Sequence, residues 1–330
     1  MNIIVTGGSG FIGSNFIHYM AQNHPEYAII NVDALTYAGN PHNLRKVENH
    51  PSYRFVQADI ADRTALEPLF AAESVDAVIN FAAESHVDRS IVQPDIFVRT
   101  NVLGTQTLLD LSKQYGVAKF VQVSTDEVYG TLGATGLFTE LTPLAPNSPY
   151  SASKAGADML VRAYYETYGM NANITRCSNN YGPYQFPEKL IPLMIQNTLE
   201  DKPLPVYGDG LNVRDWLYVE DHCRAIDLVL HRGAPGAIYN VGGTNERTNI
   251  EVVRRIVTEL GRSESLITYV QDRLGHDRRY AIDASKIREE LGWTPMYDYE
   301  SGIKLTIEWY LNHTEWLDNV RTGAYRGGRS

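Results

Sequence analysis

Two short motifs in the sequence carry side chains suited to redox and acid–base chemistry. Asp126 and Glu127 follow Thr125 directly, and Tyr150 and Lys154 are four residues apart. On a helix, the second spacing puts both side chains on one face. A lysine ammonium near a phenol favours the phenolate and lowers its pKa, so the tyrosine could accept a hydroxyl proton as hydride leaves the same carbon. The neighbouring carboxylates could then move protons beside the carbonyl group formed in that step.

Each motif is weak evidence by itself, and its position in the chain gives it weight. A Tyr-x-x-x-Lys pattern usually marks an exposed helix face, and an Asp-Glu pair is usually a solvated turn. Here the acids Asp126 and Glu127 adjoin the carboxyl end of an apolar run at 120–124, which predicts a buried strand and the ligand-binding edge of an open sheet. Neighbouring strand residues point to opposite faces, so both acids reach one substrate only if the chain leaves the strand there. Gly130 and Gly133 make such a loop plausible.

Repeated strand and helix patterns predict the elements that position these motifs. They indicate an α/β protein with a Rossmann-type doubly wound parallel sheet. After Cys177 prolines and glycines become frequent, which predicts a smaller α/β C-terminal lobe. We expect a cofactor-binding domain over residues 1–178 and a mainly substrate-binding lobe over 179–330, with some exchange of chain between them. The predicted strands are 3–6, 29–32, 55–57, 77–81, 120–124 and 174–175, and the predicted helices are 11–20, 97–115, 150–168, 187–200, 219–231 and 250–260.

A glycine-rich turn near the start of the chain predicts a dinucleotide site. Gly7, Gly10 and Gly13 fall between a strand and a helix, where they let the backbone and the helix N-terminus approach a pyrophosphate. Asp33, twenty residues after Gly13, is placed to bind the ribose hydroxyls and would repel a 2′-phosphate, which favours NAD over NADP. Asp59 could meet the adenine, although a helix cap or turn residue is an equally good interpretation.

Composition excludes several classes of function. The chain has 330 residues with 43% hydrophobic residues and a formal net charge of −10, which argues against a nucleic-acid partner. Cys177 and Cys223 are too few for a disulfide framework or zinc site, and His86 and His276 lack metal-ligand spacing, so we predict no metal. Because the first residues run straight into a strand and no apolar run reaches membrane length, we expect a soluble cytoplasmic protein.

Several longer segments resemble the nucleotide-sugar 4,6-dehydratases of the extended short-chain dehydrogenase/reductase family. The resemblance covers nearly the whole chain. It is carried by residues 80–88, 125–127, 176–185, 186–192, 214–222 and 272–280, together with the Tyr-x-x-x-Lys motif at Tyr150.

The resemblance implies a lyase with tightly bound NAD that is recycled within each turnover. The expected reaction oxidises the sugar at C4, eliminates water across C5 and C6, and returns hydride to C6. It implies that Tyr150 is the base at the C4 hydroxyl, that Thr125 hydrogen-bonds the same hydroxyl, that Asp126 is the acid toward the C6 oxygen and that Glu127 is the base at C5. Lys154 would also hold the nicotinamide ribose. The expected substrate is dTDP-glucose, and the product would feed deoxysugar synthesis such as that of dTDP-rhamnose.

The resemblance also implies two sets of binding residues and an oligomer. A guanidinium group can bind a diphosphate through two parallel hydrogen bonds, and Arg214 and Arg273 are the candidates for this role. Each of these arginines could instead be a surface ion-pair partner. The helices predicted at 97–115 and 150–168 would form a four-helix homodimer interface. The cofactor set is Gly7, Gly10, Phe11, Ile12, Gly13, Asp33, Asp59, Ile60, Ala82, Ala83, Thr100, Tyr150, Lys154 and Asn180. The substrate set is Ser85, His86, Asn179, Glu188, Lys189, Leu190, Tyr207, Arg214, Asn249, Arg273 and His276.

Two other functions remain open at this point. A nucleotide-sugar 4-epimerase would need the redox pair but not the two acids. A non-catalytic NAD-binding regulatory protein would need neither. The residues themselves also leave the nucleotide base open between thymine and uracil.

Overall fold

A parallel sheet of seven strands forms the central layer of the protein. In the computed structural model, which describes residues 1–326, its strand order is β3-β2-β1-β4-β5-β6-β10. The expected Rossmann-type α/β fold is confirmed. The last four residues of the expected C-terminal lobe, 327–330, lie outside the described residues. The described strands are β1 (Asn2–Thr6), β2 (Ala28–Asp33), β3 (Tyr53–Gln57), β4 (Ala77–Asn80), β5 (Lys119–Thr125), β6 (Ala172–Cys177), β7 (Asn179–Tyr181), β8 (Leu204–Tyr207), β9 (Val213–Tyr218), β10 (Ile238–Val241), β11 (Glu246–Thr248) and β12 (Ile267–Val270).

Helices cover both faces of this sheet. Strands β4, β5 and β6 are buried along their whole length, as expected for strands enclosed on both sides. The described helices are α1 (Phe11–Asn23), α2 (Arg63–Ala72), α3 (Val87–Val92), α4 (Pro94–Phe97), α5 (Thr105–Gln114), α6 (Pro149–Tyr168), α7 (Leu190–Leu199), α8 (Val219–Arg232), α9 (Asn249–Glu259), α10 (Ser285–Leu291), α11 (Tyr299–Asn312) and α12 (Thr314–Thr322). On one face α1 and α8 pack in one core with the sheet, and on the other α2, α5 and α6 do so.

The helix predicted at 97–115 has a different form in the structure. It is a helical run whose middle, Val98–Gly104, is a π-helix between α4 and α5. The Asn101 side chain in this segment is buried, where it accepts the backbone N–H of Glu84 and donates to Ser153. The wider turn thus ties the helix to the sheet edge and to α6. Such turns often occur at functional sites.

The C-terminal half of the chain forms a second group of small sheets and helices, and it also contributes elements to the central seven-stranded sheet and its helices. Strands β11, β9 and β7 form a small sheet, β12 pairs with β8, and α7, α9, α11 and α12 enclose a separate apolar core with them. However, β10 pairs with β6 in the seven-stranded sheet, and α8 packs against α1. The division at residue 178, and the exchange of chain between lobes expected with it, remain predictions.

A buried ion pair connects α6 to β6. The Arg176 Nε donates to a carboxylate oxygen of Asp158 at 2.9 Å, and another guanidinium nitrogen donates to the Tyr129 hydroxyl at 3.0 Å. The Tyr129 hydroxyl in turn donates to Asn240 on β10 at 2.8 Å. All four side chains are buried. The network therefore joins the helix α6, the turn after β5, and the strands β6 and β10.

Within residues 1–326, the structure has no helix long and apolar enough to cross a membrane.

Candidate active site

The glycine-rich turn between β1 and α1 is packed backbone against backbone. Gly7 has φ +69°, and a Cβ atom there would lie 2.6 Å from the backbone nitrogen of Ala82. A Cβ atom on Gly13 would lie 2.3 Å from the carbonyl oxygen of Gly7. The absence of side chains lets the strand, the turn and the first helical turn come together. The free N-terminal amides of α1 then face the sheet edge, where they suit a phosphate.

Asp33 ends β2 beside this turn. Its carboxylate accepts the backbone N–H groups of Ser9 at 2.9 Å and Leu35 at 2.8 Å. Burial raises the pKa of Asp33, and these two hydrogen bonds oppose that rise. The acid is therefore held in a fixed orientation at the position where the sequence predicts ribose binding.

A cleft of about 340 Å³ runs along the carboxyl edge of the sheet. Every residue of the predicted cofactor set lines it, from Gly7 to Asn180. Thr125, Glu127, Tyr150 and Lys154 of the catalytic set also line it, whereas Asp126 is buried beside it. The members of the predicted substrate set that line the cleft are Ser85, Asn179, Glu188 and Lys189.

Asp59 forms a turn at the mouth of this cleft. One carboxylate oxygen accepts the backbone N–H of Ala61 at 2.9 Å, and the other accepts from Arg99 at 3.1 Å. The residue that caps α2 is Asp62, whose side chain accepts the N–H of Ala65. The sequence left three interpretations of Asp59 open: adenine binding, a helix cap and a turn residue. The helix cap is therefore wrong. Asp59 is a turn residue, and it also lines the cleft.

The chain leaves β5 at the paired acids, as the sequence requires. The strand ends at Thr125, whose hydroxyl accepts the backbone N–H of Glu127 at 3.2 Å and so begins a 3-10 turn over Asp126–Tyr129. Gly130, with φ +88°, ends this turn. The departure from the strand places Asp126 in the interior and Glu127 against the cleft.

The two acids have different electrostatic surroundings. The pKa of Asp126 is raised well above its usual value, first by burial and then by the negative charges of Glu127 and Asp215. Within residues 1–326, one carboxylate oxygen of Asp126 has no hydrogen-bond partner. Burial also raises the pKa of Glu127, but the cation Arg273 is the largest influence opposing it. A proton shared between the two therefore favours Asp126.

Three cations converge on Glu127. Arg273, Arg214 and Lys189 each lower the pKa of Glu127. Lys189 also donates to the carbonyl of Ser85 at 2.9 Å, which links the C-terminal half to the segment after β4. This cluster favours the ionised form of the carboxylate.

Asp215 is the buried anion behind Asp126. It lies on β9 and accepts the backbone N–H groups of Gly243 at 3.0 Å and Asn245 at 2.6 Å. Burial raises its pKa, while these bonds oppose the rise. Because amide donors stabilise a carboxylate, Asp215 can remain charged in the interior.

Tyr150 and Lys154 lie at the start of α6, but their pKa relation differs from the sequence expectation. The pKa of Tyr150 is raised well above its usual value by burial, by Glu127 and by Cys177, and a hydrogen bond with Thr125 opposes this. The expected lowering by Lys154 is wrong for this state of the protein. The Lys154 ammonium donates to the Val123 carbonyl at 2.7 Å, and burial lowers its own pKa.

The arginines of the predicted substrate set are not surface ion-pair partners. Arg214 is buried, donates to the Asp277 carbonyl at 2.9 Å, and stacks on the Tyr280 ring with 4.4 Å to its centroid. Within residues 1–326, the Nε of Arg273 is buried and has no hydrogen-bond partner. Both guanidinium groups therefore lie beside the carboxylates, where they suit a diphosphate.

The remaining members of the substrate set lie around the cleft without lining it. His86 caps α3 and faces Glu188 at 3.5 Å. His276 bonds Asp272 at 2.6 Å, and its ring meets that of Tyr207 edge to face at 6.2 Å. Leu190 opens α7 and Asn249 opens α9. Their assignment to substrate binding stays a prediction.

Several residues of the site were missed by the sequence reasoning. Glu84 is buried with a raised pKa, and Arg89 lies 3.6 Å from its carboxylate. Tyr37 donates to Glu188 at 3.1 Å across the cleft. Asp215 had a signal in the sequence, because an acid in the middle of an apolar strand must find buried partners. Tyr37 had no such signal in the sequence, because the loop in which it lies has no periodic pattern of apolar residues.

Comparison with known proteins agrees with this geometry. A family model described as GDP-mannose 4,6 dehydratase matches residues 4–306. A curated dTDP-glucose 4,6-dehydratase from Xanthomonas campestris pv. campestris is 54% identical over 98% of this chain and 97% of its own length. The chain belongs to the dTDP-glucose 4,6-dehydratase family.

Solved structures of dTDP-glucose 4,6-dehydratases share the fold. The enzyme from Bacillus anthracis, crystallised in complex with NAD, is 57% identical with a TM-score of 0.91, over 97% of this chain and 99% of that one. The enzyme from Streptomyces venezuelae, also crystallised with NAD bound, is 50% identical with a TM-score of 0.93, over 96% of this chain and 98% of that one.

We expect Gly13→Ala to abolish retention of NAD. The new methyl group would lie against the backbone of Gly7 and Gly8, which cannot move aside as a flexible side chain would. The measurement is the amount of NAD released when the purified protein is denatured. Gly133→Ala is the matched control, because a Cβ atom at Gly133 meets nothing within 4 Å. Equal NAD content in both variants would contradict the proposed binding of NAD at the glycine-rich turn.

Proposed function

We propose that this protein dehydrates dTDP-glucose to dTDP-4-keto-6-deoxyglucose, using NAD that is reduced and reoxidised within each turnover. Membership of the dTDP-glucose 4,6-dehydratase family supports this function. The observation in the structure that carries it is the pair of carboxylates at Asp126 and Glu127, which lie beside Tyr150 but in opposite electrostatic surroundings. A simple dehydrogenase has no use for such a pair.

The residues of the cleft fit NAD. The bare glycine turn and the amides of α1 suit its pyrophosphate, and Asp33 suits a ribose. When bound, NAD supplies the hydride acceptor for C4, the hydride donor for C6 and, in its oxidised ring, a positive charge. Tyr150 takes the proton of the C4 hydroxyl, and Thr125 hydrogen-bonds that oxygen. Since burial, and then the charges of Glu127 and Asp126, raise the pKa of Tyr150, positive charge in the cleft is required for this step.

The two acids then carry out the elimination. A ketone at C4 acidifies the proton on C5, which ionised Glu127 removes. Asp126, which holds its proton, donates it to the departing C6 oxygen, so that water leaves as the C5–C6 double bond forms. Hydride added to C6 and a proton returned to C5 complete the reaction without net oxidation. The larger rise of the pKa at Asp126 and the cations that oppose the rise at Glu127 support these acid and base roles.

The alternatives explain less of the structure. A 4-epimerase needs Tyr150 and Lys154 but gives no reason for a buried acid at Asp126 opposite a base surrounded by cations. A regulatory NAD-binding protein gives no reason for any of these buried ionisable groups, each of which costs desolvation free energy.

We expect the purified protein to form a 4-keto product from dTDP-glucose without added reductant. Asp126→Asn and Glu127→Gln should each lower kcat by about 10²- to 10⁴-fold, because each removes one proton transfer. The measurement is the alkali-induced absorbance of the keto sugar, followed together with NADH absorbance.

Both variants should still oxidise C4, because Tyr150 and Lys154 are unchanged, so enzyme-bound NADH should accumulate. Parallel assays with UDP-, CDP- and GDP-hexoses identify the nucleotide. Release of a C4 epimer, or full turnover in both variants, would overturn the proposal.

We expect Asp215→Asn to move the alkaline limb of the kcat–pH profile to lower pH. The Asp215 anion raises the pKa of Asp126, so its removal lowers that pKa and the acid loses its proton earlier as pH rises. Asp318→Asn on the exposed face of α12 is the control. A uniform fall in kcat with an unmoved alkaline limb would mean that Asp215 only supports the loop at 243–245.

We also infer a homodimer through the helices around α5 and α6. Their outer faces expose large apolar side chains, with Leu103 43%, Met159 44% and Tyr168 55% exposed. Met159→Glu should convert a dimer to a monomer in sedimentation experiments, because a charge cannot be buried unpaired at its centre. Met296→Glu, at an exposed position in the other half, is the control. A monomeric wild-type protein at micromolar concentration would refute the dimer.

The cellular role forms the last part of the proposal. The two cysteines Cys177 and Cys223 are free and buried, which suits a reducing compartment such as the cytoplasm. The product would supply deoxysugar synthesis, for example that of dTDP-rhamnose.

A further inference from the structure

Two histidines and one aspartate converge where the end of α1 meets α8. The His24 Nε2 lies 3.1 Å from an Asp227 carboxylate oxygen, and the His231 Nδ1 lies 2.9 Å from the same oxygen. The three atoms all lie within 4.8 Å of one another. Because α1 begins at the glycine turn and has 13 residues, this cluster lies about 20 Å from the cleft.

The far atom of each side chain faces an orienting partner. The His231 Nε2 lies 2.8 Å from the Tyr27 hydroxyl, and the second Asp227 oxygen accepts from the Tyr19 hydroxyl at 3.2 Å.

The same arrangement holds for His24. Its Nδ1 lies 3.9 Å from a carboxylate oxygen of Glu26, on the side of the ring away from the Nε2 contact with Asp227. Histidines that bind metals are typically fixed in this way, with the outer nitrogen turned toward a carboxylate or other polar group.

We propose that His24, Asp227 and His231 bind one divalent transition-metal ion such as Zn²⁺, with water as the fourth ligand, and that the ion clamps α1 to α8. Nitrogen and oxygen ligands about 2.0–2.2 Å from a tetrahedral zinc ion lie roughly 3.3 Å apart, close to the two nitrogen–oxygen separations of 3.1 and 2.9 Å seen here. The His24 Nε2 and the His231 Nδ1, which also lies 2.9 Å from the backbone carbonyl of Asp227, would give up any hydrogen-bonding proton when the ion binds. Imidazole and carboxylate ligands suit zinc, whereas calcium and magnesium prefer all-oxygen sites.

The clamp would act on the cofactor domain through its first helix. His24 ends α1, whose other end forms the dinucleotide turn, while Asp227 and His231 lie one helical turn apart on α8. The ion would join a helix of the first 178 residues to one from the second half of the chain. Its role would be structural, because none of its ligands approaches the cleft.

Calorimetric titration with ZnCl₂ tests the site. The NAD-loaded enzyme is prepared without a polyhistidine tag, which would itself bind zinc, and is dialysed against a chelator and then buffer. We expect one ion per chain, a higher Tm in the presence of zinc, and unchanged dehydratase activity. Asp227→Asn and His231→Gln should each weaken binding at least tenfold and remove the rise in Tm.

Two further variants make the result decisive. His24→Gln changes the third ligand on a different helix, so the conclusion does not depend on one variant folding. His50→Gln is the control, because its half-buried imidazole lies outside the cluster and accepts the backbone N–H of Ser52. Zinc binding that persists equally in all three cluster variants, or no binding by the wild-type enzyme at millimolar zinc, would overturn the proposal.

Discussion

One buried guanidinium group sets the relation between the two chemical halves of the site. Arg176 donates both to Asp158 on α6, one turn after Lys154, and to Tyr129 in the turn that begins with Asp126. The segments that carry the redox pair (Tyr150 and Lys154) and the acid–base pair (Asp126 and Glu127) therefore both bond to the guanidinium group of Arg176. Buried ion pairs add little net stability, because desolvation offsets their attraction, so the value of this one lies in fixed geometry. A reaction that alternates between the two pairs on one bound sugar needs such fixed geometry.

Burial raises the pKa of both neighbouring acids, but the charges around them differ. The anions Glu127 and Asp215 are the largest charges acting on Asp126, whereas the cations Arg273 and Arg214 are the largest acting on Glu127, although the two acids are adjacent in the chain. The difference arises because the 3-10 turn directs one side chain inward toward Asp215 and the other toward Arg214 and Arg273. The different proton affinities of Asp126 and Glu127 thus depend on the directions of their side chains and on charged residues that are distant in the sequence.

Local patterns predicted the parts of the site that depend on local geometry. The glycine turn and the departure of the chain from β5 follow from the end of a strand and the next few residues, and both lie at the cleft, whereas the full cofactor set came from the family resemblance. The expected pKa shift of Tyr150 was wrong because tertiary structure sets it: burial and the charge of Glu127 raise the pKa of the phenol, while the ammonium of Lys154 donates to the Val123 carbonyl. The π-helix and β10 were missed because an inserted turn and a four-residue strand leave no periodic signal.

The position of β10 limits how this protein can be divided or recombined. A fragment that stops after Cys177 would leave the outer edge of β6 without its partner, and an unpaired apolar edge promotes aggregation between chains. To exchange the substrate lobe for that of a relative, one would therefore replace two separate segments of the gene, one before α8 and one after β10. The segment that encodes α8 and β10 would be kept. Chimeras made with a single crossover point would join a strand from one parent to a sheet from the other.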